Sequence, residues 1–534
     1  MTKTGTSFKI PLKSDEGEDN PHRDKNEDNQ DRGDAMVEQL SKLQEGIFSV
    51  PIKTLVWTMA ILLKESFFIS FSTLGSQLVV ASGYMLLNAV DDTDGMAVLG
   101  ISMSFNLIFY YGFFMSLYDK MGIEQSLTFG AKQYHLTKKV MTQSIMASTL
   151  IFLTFSVPSF LAAAPLLKLA GIESDIADKV AKALLIQIIA DALEITADMI
   201  RNFCMAQGFE TVFGPTSFLA VITAVCCGYV MIVEHKLGVA GFILSKVIYE
   251  GICVLVAIAA LTQTHPDTRG IVSWSVAKEG FWSFFCSCLI FALGSYIEFI
   301  GYEIASLFVY KTNDINQIAA FTAIVNFTTI FYSIGETFAI LSRTRMNVLV
   351  GRGLIAAAKN FFKFFWISLY VFSWLIAGGC FLARVPLSKL YSNSSPDAYH
   401  YFLRMFKIYC LTLSSELTMY TSFMGLKTVG RIGLLTGLNA FLLIFVHASV
   451  DFYLTLQLGY GTVQIFMVIQ ILFLTLNFSC FAGVVSTDWT TAKLEFEDEG
   501  QPAARMKPSK NSLQIMLLQK APTSFKSKII QNNV

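Results

Sequence analysis

Of 534 residues, 53% are hydrophobic, 46 are phenylalanine and 15% are charged, a composition outside that of soluble domains and suited to a polytopic membrane protein. Formal net charge is zero, which excludes the basic surplus of a nucleic-acid binder. The 9 cysteines lie scattered, mostly in apolar runs, without zinc-ligand spacing, so neither a metal site nor a cofactor is expected.

Residues 1–48 read as a disordered tail rather than a signal peptide, because Ser14 to Asp34 is almost wholly charged or polar and cannot bury a core. Runs of about 20 apolar residues then predict spans near 62–88, 96–118, 140–165, 180–204, 212–234, 237–262, 281–310, 317–341, 361–383, 402–426, 432–456 and 460–485. Six fall in an N-terminal half (49–262) and six in a C-terminal half (281–485), joined by a linker at 263–280. A second polar tail, 486–534, follows. An even count puts both tails on one side of the bilayer, where Lys132, Lys138, Lys139, Arg269, Lys278, Arg343, Arg345, Arg352, Lys359, Lys363, Lys427 and Arg431 gather; that side is expected to be cytoplasmic. The opposite loops hold the acidic Asp91-Asp92-Thr93-Asp94 and the sequon Asn393-Ser394-Ser395.

The chain repeats itself at an offset of about 220 residues. Pro165-Leu166-Leu167-Lys168-Leu169 returns as Pro386-Leu387-Ser388-Lys389-Leu390, and Met205 through Gly214 as Met424 through Gly433. Leu237-Gly238 returns as Leu458-Gly459, and Leu74-Gly75-Ser76 as Leu293-Gly294-Ser295. Two six-span halves of like orientation are related by an axis along the membrane normal, an architecture of secondary transporters.

Ionisable residues inside these spans mark candidate sites, since charge in hydrocarbon is costly and faces a cavity or a partner. The seventh span carries Glu298 and Glu303; five residues turn through about 500°, so their side chains point about 140° apart and one can take a proton while the other orients it. Holding helices together by hydrogen bonds is their structural alternative. Glu416 lies in the tenth span, Asn326 and Glu336 in the eighth. In the fourth, Asp191, Glu194 and Asp198 share a face about 60° wide, with Arg201 placed to pair with Asp198. Asp119, beside Lys120, and Glu124 read as interfacial, and Glu250 has no evident partner. Phe281, Trp282, Phe299, Tyr302 and Tyr332 offer aromatic faces to a cation. His447 and Asp451 lie one turn apart without a nucleophile, so no enzyme is expected, and no phosphate-binding glycine loop supports nucleotide-driven pumping.

Several stretches resemble the multidrug and toxic compound extrusion (MATE) family over roughly residues 50–485. Phe129-Gly130-Ala131-Lys132 is similar to its signature after the second helix, Met205-Ala206-Gln207-Gly208 to the end of its fourth, and Leu237-Gly238-Val239-Ala240-Gly241 to the turn into its sixth. Arg345 with Gly351 and Gly353, and Lys427 with Gly430, stand at the corresponding ends of the eighth and tenth. Glu298-Phe299-Ile300-Gly301-Tyr302-Glu303 resembles the two-glutamate seventh helix of eukaryotic members, and Glu416 their tenth-helix acid. Asn326 stands where animal members have a glutamate.

The resemblance implies an all-α polytopic fold of twelve transmembrane helices in two parallel six-helix repeats. It implies a monomeric secondary transporter that exports organic cations or other xenobiotic or metabolite solutes in exchange for protons by alternating access, in the plasma membrane or a vesicle or vacuole membrane. Glu298, Glu303, Glu416, Asn326 and Tyr302 are its expected proton and substrate residues, with Asp191, Glu194, Asp198 and Glu336 secondary. A sodium-coupled exporter and a lipid-linked sugar flippase are the nearer alternatives, and a channel or receptor-like scaffold a more distant one.

Overall fold

The computed structural model describes residues 50–489, preceded by 37–38 and 40–47 and interrupted at 91, 170–171, 210–211, 311–313 and 392–395. No strand occurs among these residues. In lipid a chain must satisfy its backbone hydrogen bonds within each spanning segment, and these apolar runs do so as helices. They are α1 (Ile52–Ala89), α2 (93–130), α3 (Tyr134–Leu161), α4 (Ser174–Ala206), α5 (Phe213–Glu234), α6 (Gly238–Leu261), α7 (Phe281–Tyr310), α8 (Ile315–Gly351), α9 (Ile355–Leu382), α10 (Pro396–Thr428), α11 (432–457) and α12 (Thr462–Ser486).

Ten of these are apolar enough to cross a membrane by composition. The other two, α4 and α10, are 33 residues each, about 50 Å at 1.5 Å per residue, and are the more polar of the set, with Asp191, Glu194, Asp198 and Arg201 in one and Arg404, Lys407, Glu416, Lys427 and several serines and threonines in the other. Asp92 caps the start of α2 by accepting from the Gly95 N–H at 2.8 Å, and Asp314 caps α8 by accepting from those of Asn316 (2.9 Å) and Gln317 (3.3 Å).

The repeat is visible in the backbone. Pro165 and Pro386 sit in short helices, Ala163–Leu169 and Arg384–Tyr391, that precede the two 33-residue helices. Both of those helices end on a left-handed glycine, Gly208 (φ 89°) and Gly430 (φ 71°). Lys132 (φ 59°), after α2, and Gly353 (φ 75°), after α8, make a third matching turn. Single π-helical turns close α5 (Val230–Glu234) and α11 (Tyr453–Gln457) at equivalent places.

One apolar core fills the N-terminal half, and a second fills the C-terminal half together with the first turns of α1. Between them, Ile123 and Leu127 of α2 meet Phe291 of α7, with Val350 and Ile432 alongside. The linker stays with the N-terminal half. There the Gln143 side-chain amide donates to the Ala277 and Glu279 carbonyls at 3.0 and 2.9 Å, and His265 stacks on Tyr134.

The expectation of a structureless tail over 1–48 is corrected for its last part. Val37, Leu40 and Leu43 recur at helical spacing, are buried, and join the C-terminal core; the Asn360 amide of α9 donates to the Leu43 carbonyl at 2.8 Å. Trp489, beyond α12, is buried against Phe362 of α9. Residues 1–36 and 490–534, and the sequon at Asn393, lie outside the described residues.

Candidate functional site

The two halves are sealed together at the end that carries the tails. Gly130 of α2 lies on the backbone of Val348 in α8, and Gly351 of α8 lies on that of Leu127 in α2; a Cβ on either glycine would overlap the other helix. Above this crossing, Asp119 of α2 receives two cations from the opposite half, Arg343 of α8 and Lys427 of α10, each at 2.6 Å. Arg343 also donates to Asn202 of α4 at 2.9 Å. Further along the seam, Glu65 of α1 accepts from Arg345 at 3.1 Å, Thr73 and Thr337 share a hydroxyl contact of 2.7 Å, and the Tyr296 phenol donates to the Ile108 carbonyl at 2.7 Å. Asp119 and Glu124 were expected at the membrane interface. Both are buried, because partners on other elements neutralise Asp119 and Lys120 pairs with Glu124 at 2.7 Å.

Over this floor lies a cavity of about 750 Å³, mouth included, set between the halves but reaching into the N-terminal one. Asp119, Asn202 and Arg343 form its base. Its walls carry Glu194 and Asp198 of α4, Glu250 of α6 and Glu336 of α8, with the phenols of Tyr110, Tyr111, Tyr118 and Tyr249 between them.

Helical spacing places these acids. Asp191, Glu194 and Asp198 fall on one face of α4, as the sequence predicts, and Arg201 pairs with Asp198 at 2.8 Å. Lys246, one turn before Glu250 on α6, stands 3.2 Å from Glu194 and 3.5 Å from Asp191. Asp191 is fully buried behind the cavity wall and accepts from Asn106 at 2.7 Å and Gln187 at 2.5 Å. Glu250 is 3% exposed, and its Oε1 has no hydrogen-bond partner. Burying such a carboxylate without a partner is costly, and a site that must receive a cation or proton keeps one.

The C-terminal acids form a separate group. Glu298 of α7 and Glu416 of α10 are both buried, and the Tyr420 phenol, one turn after Glu416, donates to Glu298. Neither Glu416 oxygen has a hydrogen-bond partner that meets normal geometry, although the Tyr409 phenol lies beside it. These acids do not line the cavity; the ring of Tyr420 packs on that of Tyr332, 4.7 Å between centroids, and Glu336 is one turn beyond Tyr332 on the cavity wall. Asn326 is exposed, about three turns from Glu336. The side chains of Tyr302 and Glu303 lie outside the described residues. Among the aromatics, Phe299 packs between Tyr111 and Tyr332, Trp282 is exposed, and Phe281 is buried against it.

Lys246 and the joining role of Asp119 were not anticipated. The signal for Lys246 was present: a lysine four residues before Glu250 inside an apolar run. Its partners are on another helix more than fifty positions earlier, so no local spacing reveals them.

Residues 67–233 match the MatE family model. No curated protein sequence matches the chain. The fold is similar to that of the eukaryotic MATE transporter AtDTX14 (17% identity, TM-score 0.70, covering 81% of this chain and 98% of that one). It is also similar to the Vibrio cholerae MATE transporter VcmN in the bent form (13% identity, TM-score 0.69, covering 86% and 98%). An outward-facing multidrug resistance MATE family transporter of the MOP superfamily shares it at 11% identity and TM-score 0.65, covering 79% and 95%.

Proposed function

We propose that this chain, whose residues 67–233 match the MatE family model and whose fold is similar to that of MATE transporters over both halves, exports organic cations in exchange for protons. The observation that carries the proposal is the cavity: closed toward the tails, placed on the seam, and lined by carboxylates from both halves, Glu250 on one and Glu336 on the other. An ionised carboxylate there attracts a cation, and a protonated one releases it, so proton and substrate exclude each other. Exchange follows if only occupied states swap the open side. Swapping requires the halves to rock apart at the Gly130–Gly351 crossing and at Asp119, where the charges become solvated. A lipid pyrophosphate fits poorly, because the walls carry more carboxylates than cations.

Glu298, Glu303 and Glu416, with Tyr302 on α7 and Asn326 on α8, serve in this proposal as a proton store of the C-terminal half. Tyr420 and Tyr332 connect it to Glu336. Both tails face the cytoplasm, and the monomer is the working unit.

The test is uptake of a fluorescent organic cation into vesicles holding the purified protein, with a pH gradient and a sodium gradient imposed separately. Uptake driven by the pH gradient, and reduced at least tenfold in Glu416→Gln and Glu298→Gln, is the expected result. Uptake that follows only sodium overturns proton coupling. Unchanged uptake in both variants removes the C-terminal acids from the mechanism.

A further inference from the structure

The charges around the cavity do not cancel. Asp119, Glu194, Asp198, Glu250 and Glu336 line it and Asp191 lies behind its wall; the cations paired with this group are Lys246, Arg201, Arg343 and Lys427. Lys246 serves Asp191 and Glu194, Arg201 serves Asp198, and Arg343 with Lys427 serves Asp119. The neighbouring Lys120–Glu124 and Arg345–Glu65 pairs are neutral in themselves. An excess of two negative charges remains, and the two carboxylates without an ion pair are Glu250 and Glu336. One belongs to each half, both line the same cavity, and the Glu250 Oε1 is buried without a partner.

We propose that the cavity is built for an organic dication, a molecule with two cationic centres on an apolar spacer, one centre received by Glu250 and the other by Glu336. This rests on the transport reading above and specifies its substrate. A doubly charged occupant cancels the excess and touches both halves at once, whereas a monocation leaves one carboxylate ionised and unmatched in a low-dielectric wall. The rings of Tyr110, Tyr111 and Tyr118 line the same cavity and suit an apolar or quaternary spacer. The same count sets the exchange. Two protons neutralise Glu250 and Glu336 when the dication leaves, so each cycle trades two protons for one dication and moves no net charge.

A matched pair of probes tests this: hexamethonium, with two quaternary ammonium centres, and hexyltrimethylammonium, with one on the same chain. Binding is measured by thermal shift of the purified full-length protein, and transport by uptake into vesicles under a pH gradient. The wild type is expected to favour hexamethonium at least tenfold in both measurements, with hexamethonium uptake indifferent to an imposed membrane potential. Glu250→Gln and Glu336→Gln should each bring the ratio to near unity, and an unchanged melting temperature of the ligand-free variants reports that they are folded. Equal affinity of the wild type for both probes, or an unaltered preference in both variants, overturns the dication assignment even if proton-driven transport holds. If neither probe is transported, the transport reading fails, and the binding ratio still decides the assignment.

Discussion

Replacing Asp119 by Asn should unlock the tail end of the molecule. Asp119 is 6% exposed and stands 2.6 Å from both Arg343 and Lys427. Removing its charge leaves two cations buried with one neutral amide between them. Breaking a buried pair in this way costs about 3–5 kcal/mol. The cost falls on the tail-closed state, because in a tail-open state the cations reach water. At about 1.4 kcal/mol per tenfold, the ratio of closed to open then falls by roughly two to three and a half powers of ten. The assay is labelling of a Leu127→Cys reporter by a membrane-impermeant maleimide applied from the tail side. Leu127 is 7% exposed and covered by C-terminal residues in the sealed seam, so labelling should be slow in the parent and at least a hundredfold faster with Asp119→Asn. An unchanged rate in a variant that remains folded refutes the idea that this cluster holds the halves together.

Three further outcomes are expected. Gly351→Ala forces a methyl group into the Leu127 backbone, and overpacking of about 1–3 kcal/mol should raise labelling of the same reporter while leaving each half's core intact. Asn477, buried in α12, accepts from Ser422 (2.7 Å) and donates to the Ser415 carbonyl (3.0 Å), the Ser415 hydroxyl (3.1 Å) and Thr418 (2.8 Å); at about 0.6 kcal/mol per interhelical bond in a membrane, Asn477→Ala should cost roughly 2 kcal/mol, read as a lower melting temperature in detergent. At the solvent-exposed cap of α8, bonds from Gln317 and Asn316 hold the Asp314 carboxyl below its usual 3.8. The cap's contribution is therefore full above that value and lost as pH falls through the lower folded one, so Asp314→Ala should lower the melting temperature at pH 6 and do little near pH 3.

The sequence announced the architecture through its repeat: the Pro-Leu and Leu-Gly matches are the short helices and turns that recur in space. It also placed Asp191, Glu194 and Asp198 on one face, since a helix converts spacing directly into direction. Which acids share a cavity was harder to read. Glu250 and Glu336 sit on helices of opposite halves, and only packing brings them to one cavity. Glu298 and Glu416 are the more conspicuous charges, yet they pack inside the C-terminal half, their environment set by Tyr420 and Tyr409. Asp119 looked interfacial because Lys120 follows it, whereas its partners lie at positions 343 and 427.

The glycine crossing bears on descent. Gly130 and Gly351 are separated by the repeat offset, as are Leu127 and Val348, the residues each glycine rests on. The contact therefore lies on the pseudo-twofold axis. In an ancestral dimer of identical six-helix chains, one glycine in one gene would have made both contacts, so a single substitution there would have opened or shut the assembly at two places together. The interiors of the two halves differ: the first holds the ion-paired cluster of Asp191, Glu194, Asp198, Arg201 and Lys246, the second a serine–threonine–asparagine network beside Glu298 and Glu416. The crossing keeps a glycine on both sides, because neither half can gain a side chain there without striking the other.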